Sequence, residues 1–137
     1  MNKIIKVREV MQDHFIMIDG LATVREAIND LIRDEGTTLV VKKRSEHDEF
    51  GIVVLADIAK KVLAVDRSPD RVNVYEIMSK PVICIDGEMD VRYCSRLFDR
   101  FGLSLAPVVK DGEVVGVVDY KGLVLHGMVR LMDQSTD

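Results

Sequence analysis

The sequence predicts a mixed α/β (α+β) fold in which two β-α-β-β-α repeats pack with pseudo-two-fold symmetry. Three observations carry that prediction. Residues 7–33, VREVMQDHFIMIDGLATVREAINDLIR, match residues 74–100, VYEIMSKPVICIDGEMDVRYCSRLFDR, at a constant offset of 67 with ten identities in 27 positions, too long a gapless match for shared helix propensity. Each copy then alternates short β-branched runs with stretches of helical periodicity. Finally, a unit of only three strands leaves one apolar sheet face uncovered, so the copies are expected to pack face to face and enclose a cleft.

The elements follow in order. FIMID and VICID, before the first helix of each copy, read as short strands. In the first copy Thr23-Val24-Arg25-Glu26 is a capping box, and Val24, Ala27, Ile28, Leu31 and Ile32 fall on one face of a helix ending near Gly36. The second copy places Asp90 where Thr23 stands; Asp also caps helices, and Val91, Cys94, Phe98 and Phe101 continue an apolar stripe that stops at Gly102. TTLVV and LAPVV, then FGIVV and VVGVV, are the next strands. In the second copy Asp111-Gly112 is a strong hairpin signal, whereas the first copy joins its strands through the charged solvent loop from Lys42 to Glu49.

A second helix closes each copy: Asp57 to about Val65, with Ile58, Val62 and Val65 on one side, and Gly122 to about Met132, with Leu123, Met128 and Leu131. The chain therefore reads as a single module over 1–137, with repeat 1 at about 6–65, a linker at about 66–72 around Asp66-Arg67-Ser68-Pro69-Asp70, and repeat 2 at about 73–132.

Composition narrows the function. A net charge of -4 and a pI near 5.4 argue against a general nucleic-acid surface, which needs a basic stripe to release counterions. No apolar run approaches a membrane span and no signal-peptide pattern opens the sequence, so a cytoplasmic protein is expected. Cys84 and Cys94 make no disulfide framework and read as reduced and mostly buried. His14, His47 and His126 lack metal spacing, and the adjacent Glu46, His47, Asp48 and Glu49 are poorly disposed to converge on one ion. With no GxSxG, HExxH, P-loop or GxGxxG, no enzyme and no required cofactor are expected.

The most informative short segments are Gly51–Ile58 and Gly116–Leu123, where a strand runs directly into a helix and presents backbone N–H groups and the positive helix end. Two copies of the unit, each opening with VxEhM and closing with such a segment, resemble a tandem pair of CBS domains, the family named after cystathionine β-synthase. The resemblance covers about Val7 to Met128. It implies a regulatory module whose cleft binds AMP, ATP, another adenosine compound or S-adenosylmethionine, which pairs into a disc-shaped homodimer and acts on a separate, unidentified protein partner.

The family's usual pattern sets a Thr or Ser, and three residues later an Asp, at the last strand-to-helix corner, for phosphate and ribose respectively. Asp57 matches the Asp, with Ala56 beside it, but Val54 stands at the hydroxyl position; in the second copy Asp119 takes the hydroxyl position and Gly122 the Asp position. The resemblance further implies an adenine slot lined by Thr37, Thr38, Leu39, Met17 and Ile18, and a weaker one lined by Ser104, Leu105, Ala106, Cys84 and Ile85. A carboxylate takes two ribose hydroxyls, whereas Asp119 repels phosphate, so the Asp57 corner is the expected nucleotide site. The rival expectation is a dimerisation or docking module that has lost nucleotide binding. Leu63, Leu125 and Met132 are the candidates for the dimer contact.

Overall fold

Strands and helices alternate as the repeat predicts in a computed structural model that describes residues 3–80 and 83–133. The chain divides into two compact units, Phe15–Val82, and Met1–His14 together with Ile83–Asp137.

In the first unit β1 (Ile16–Ile18) runs parallel to β2 (Thr38–Val41), and β2 pairs antiparallel with β3 (Gly51–Val54), opposing Thr38 to Val54 and Val41 to Gly51. Helix α1 (Val24–Arg33) starts where the sequence places it, because the Thr23 hydroxyl accepts the Glu26 N–H at 3.1 Å. Val24, Ala27 and Leu31 of α1 pack with Ile16, Leu39, Val41 and Val53 in a continuous apolar core. Ile32 corrects the predicted stripe: it is 71% exposed, one position beyond the covered face. Helix α2 (Leu55–Ile58) begins directly at the end of β3 and continues as a wider π turn over Ala59–Leu63, burying Val62 and leaving Val65 exposed.

The second unit repeats this plan. Here β4 (Ile85–Asp86) is parallel to β5 (Leu105–Lys110), which pairs antiparallel with β6 (Glu113–Asp119) through the Asp111-Gly112 turn, both residues having the positive φ that a tight hairpin requires, 51° and 80°. Val82, the first residue of the expected strand, lies outside the described residues; β4 is only two residues long, so Cys84 precedes it and is exposed rather than buried. Cys94 is buried as expected, and burial pushes its thiol up to about 11. Helix α3 (Val91–Phe101) starts with the Asp90 carboxylate accepting the Arg92 N–H at 2.8 Å. Phe98 of α3 is fully buried, edge-to-face with Tyr120 at 5.4 Å between ring centres, while Phe101 faces out. The last helix is a π segment over Gly122–Met128 followed by α4 (Val129–Asp133); it buries Leu123 and leaves Met128 exposed.

The compact units do not coincide with the sequence copies. Each VxEhM segment forms one helical turn, Val7–Glu9 or Val74–Glu76, closed by its own Glu, whose carboxylate accepts the N–H of Lys6 or of Asn73 at 2.8 Å. The first of these turns packs on the IDG bend of the second copy, with Val7 N–H donating to Met89 O at 2.8 Å and Arg8 N–H to Gly87 O at 2.9 Å. The second packs on the IDG bend of the first copy, through Val74 N–H to Ala22 O and Tyr75 N–H to Gly20 O, at 2.8 and 3.0 Å. Beyond each turn the chain covers the edge of the third strand: Gln12 exchanges two backbone hydrogen bonds with Val117, and Ser79 does the same with Ile52. The opening segment of each copy thus completes the other copy's unit. Among the described residues, no helix is long and apolar enough to cross a membrane.

Candidate functional site

Both strand-to-helix corners are built on the logic of a capping box, and each copy keeps one half of it. At the first corner Val54 is the N-cap residue and has no polar side-chain atom, so the first turn of α2 is closed only from the other side: Asp57 Oδ2 accepts the Val54 N–H at 2.9 Å. At the second corner the roles are reversed. Asp119 Oδ1 accepts the Gly122 N–H at 2.9 Å, and Gly122 has no side chain with which to reciprocate. A Thr or Ser with an Asp three residues on makes both bonds at once; this chain splits the two residues between its copies.

The carboxylates differ in what remains free. Asp119 is committed through both oxygens, since Oδ2 accepts a hydrogen bond from Gln12 Nε2 at 3.2 Å. Asp57 Oδ1 makes only an ion contact with Lys61 Nζ at 3.6 Å, and that ammonium donates its shorter hydrogen bond, 2.9 Å, to the carbonyl of Ile77. The Asp57 side chain is 16% exposed, shielded enough for a hydrogen bond to it to gain from low local dielectric. Neither Lys61 nor Gln12 is expected at a corner from the sequence alone. Lys61 was detectable as the i+4 partner of Asp57, whereas nothing local connects Gln12 to a residue 107 positions away.

The strand registers determine which expected site residues share a corner. Thr38 lies directly opposite Val54, exposed Thr37 precedes it, and Ala56 and Asp57 occupy the first turn of α2. Met17, half-buried, lies opposite Val40. Leu39 and Ile18 belong to the core, and Ile18, opposite Val41, stands toward the far end of β2. In the second unit Leu105 faces Asp119 across the ladder and exposed Ser104 precedes it. Ala106 and Ile85 are core residues, and Cys84 is exposed ahead of β4. Gly122 is not merely a missing Asp: a Cβ there would stand 2.5 Å from the carbonyl oxygen of Val10. Among the described residues, no group of three or more His, Cys, Asp or Glu side chains could hold a metal ion.

This architecture has known counterparts. The CBS domain family matches residues 74–128, and a hexameric CBS-CP12 protein from bloom-forming cyanobacteria superposes with a TM-score of 0.83 at 32% identity, over 90% of this chain and 72% of that one. The chain belongs to the CBS-domain family. The CBS domain pair of protein MJ0100, solved in complex with 5′-methylthioadenosine and S-adenosyl-L-methionine, is similar to it at 26% identity and a TM-score of 0.72, over 89% of this chain and 98% of that one. An uncharacterized protein of Methanopyrus kandleri is 30% identical over 94 residues, 68% of this chain and 48% of that protein. A second, from Methanocaldococcus jannaschii, is 26% identical over 80% of this chain and 59% of its own length. This CBS pair therefore spans about half the length of the curated relatives it matches.

Proposed function

We propose that this CBS pair is a regulatory module that binds an adenosine-containing ligand (AMP, ADP, ATP or S-adenosylmethionine) at the Asp57 corner and passes on occupancy as a change of conformation or assembly. The observation that carries the reading is the half of the Asp57 carboxylate that accepts no hydrogen bond: Oδ2 holds the helix start while Oδ1 makes only the 3.6 Å ion contact with Lys61, whereas both oxygens of Asp119 accept hydrogen bonds. A ribose diol is the natural partner of such an oxygen, and Thr38, opposite Val54, supplies a hydroxyl that Val54 lacks. The complex of the MJ0100 CBS pair with two adenosine compounds supports the ligand class. The reading requires no catalytic residue and keeps the cytoplasmic location expected from composition.

Melting temperature measured with each ligand at millimolar concentration tests it. A ligand at about 100 times its dissociation constant adds roughly 2.7 kcal/mol, which for a chain of this size raises the midpoint by about 10 °C. The variant Asp57→Asn retains an acceptor for the Val54 N–H, so it is expected to melt like the parent and to lose the ligand shift; Asp57→Ala removes the cap as well, at about 1 kcal/mol. No shift with any of these ligands sinks the sensor reading. That outcome favours the second reading, a docking or dimerisation module without nucleotide, whose support is the split capping box itself.

Assembly as a homodimer belongs to the same proposal. Leu63 is 76% exposed on the closing helix of the first unit, and Leu125 and Met132 are 57% and 59% exposed on that of the second, which makes them candidates for the contact. Light scattering at micromolar concentration is expected to give twice the 15.4 kDa chain mass, and a steady monomer contradicts it.

A further inference from the structure

The two units carry a cavity at the same place, beside the IDG bend and therefore at the opposite end of the sheet from the Asp57 and Asp119 corners, and the cavities differ in charge. In the second unit the space, about 650 Å³, is lined by Arg8 and Lys110 against Asp86 and Glu88. Its charges balance, and Glu88 ties down Arg8 and Lys6 together, each at 2.7 Å, which holds its carboxyl below the ordinary value. The offset that relates the copies puts Tyr75 and Leu21 where Arg8 and Glu88 stand. The ion pair has become an aromatic ring beside an aliphatic side chain.

In the first unit the cavity, about 510 Å³, is lined by Lys42, Arg44 and Lys80 against a single acid, Asp48. That acid is already spent. Lys80 forms a close ion pair with it, the Arg44 N–H donates to it at 2.8 Å, and its side chain is only 12% exposed. The Arg44 guanidinium reaches Asp48 at 3.6 Å with 82% of the side chain still exposed, and the Lys42 ammonium forms no ion pair with any described residue. Two exposed cations therefore line a cavity whose other lining includes the half-exposed Tyr75 with Leu21 and Met78. Cations together with an aromatic ring and aliphatic side chains in one cavity suit a small molecule with an anionic head and a planar ring, the head for the guanidinium fork and the ammonium and the ring for Tyr75.

We propose that this cavity is a second ligand site of the CBS pair, separate from the Asp57 corner, for a small organic anion, a phosphate monoester or carboxylate carried on a flat ring. The site takes charge and ring and makes no use of ribose. Phenyl phosphate, which has no ribose, is therefore the probe, with benzoate and inorganic phosphate beside it. In amide-resolved NMR titrations of the whole chain, phenyl phosphate is expected to give saturable shifts at Gly20, Lys42, Arg44 and Tyr75 and none at Val54 or Asp57.

Inorganic phosphate is expected to bind the same amides about tenfold more weakly, because it lacks the ring. Benzoate binding as tightly as phenyl phosphate assigns the site to carboxylates, and benzoate binding tenfold more weakly assigns it to phosphate monoesters. Lys42→Ala with Arg44→Ala is expected to weaken phenyl phosphate binding about tenfold, and Tyr75→Ala to erase its advantage over inorganic phosphate. All three side chains are exposed, and an unchanged melting temperature verifies that these variants fold. Absence of saturable shifts, shifts confined to the Asp57 corner, or binding indifferent to the Lys42/Arg44 pair overturns the proposal. Failure of adenosine compounds to bind at Asp57 leaves it standing.

Discussion

Phe98→Ala is expected to cost about 4 kcal/mol of folding stability, since Phe98 is the largest fully buried side chain among the described residues. Phe98 has no exposed surface, lies at the centre of the core that α3 shares with Ile85, Ala106, Val108 and Val118, and meets the Tyr120 ring edge-to-face. Truncation removes the transfer energy of a benzyl group and leaves a hole that the short strands around it close only in part, and Tyr120 loses its aromatic partner. Since domains are stable by only about 5–15 kcal/mol, the loss is a large share of the total. Denaturant titration is the measurement: the midpoint should fall steeply with the slope unchanged, and a loss below about 1.5 kcal/mol would show that Phe98 is not the centre of that core.

Gly122→Ala is expected to cost about 3 kcal/mol and to lower the melting temperature by roughly 10 °C, although it adds one methyl group on the side of a helix. That methyl has nowhere to go. It would meet the Val10 carbonyl oxygen at 2.5 Å, and Val10 belongs to the opening turn that packs on this unit from the far end of the sequence. Backbone cannot move aside as a flexible side chain can, so either the turn shifts off the bend at Gly87 or the last helix tilts. The same contact rules out a repair suggested by sequence. Placing Asp at position 122 adds the carboxylate that the family pattern calls for, but Gly122→Asp is expected to destabilise the unit at least as much as alanine. A melting point within about 2 °C of the parent for Gly122→Ala refutes the steric account.

What was legible in the sequence was what local chemistry decides. Thr23 and Asp90 start their helices because a cap involves neighbours two or three residues away, and Asp111-Gly112 makes its turn because the two residues adopt positive φ by themselves. The offset between the copies gave strand and helix order for the same reason. The exchange of the opening turns was not legible, since the docking bonds run to backbone carbonyls at Gly20, Ala22, Gly87 and Met89 that carry no residue signature. Periodicity also overran its range at the ends of elements. Ile32, Val65, Phe101 and Met128 continue an apolar pattern past the point where another element covers it, and Cys84 precedes a strand too short to include it. At the corners the sequence identified Asp57 as a match to a ligand motif and Val54, Asp119 and Gly122 as departures from it. The structure adds that Asp57 and Asp119 divide one capping box between them.

The exchanged turns also impose a timetable on synthesis. A ribosome releasing this chain delivers everything the Phe15–Val82 unit needs in one uninterrupted stretch, so that unit is free to fold while the rest is still being made. The other unit must keep its first residues waiting: Gln12 finds its backbone partner only once Val117 has emerged, and its side chain meets Asp119 from 107 residues away. For that interval Val7 and Val10, both destined for complete burial or nearly so, remain in water, and closing so long a loop makes this the slower step in reaching the native state.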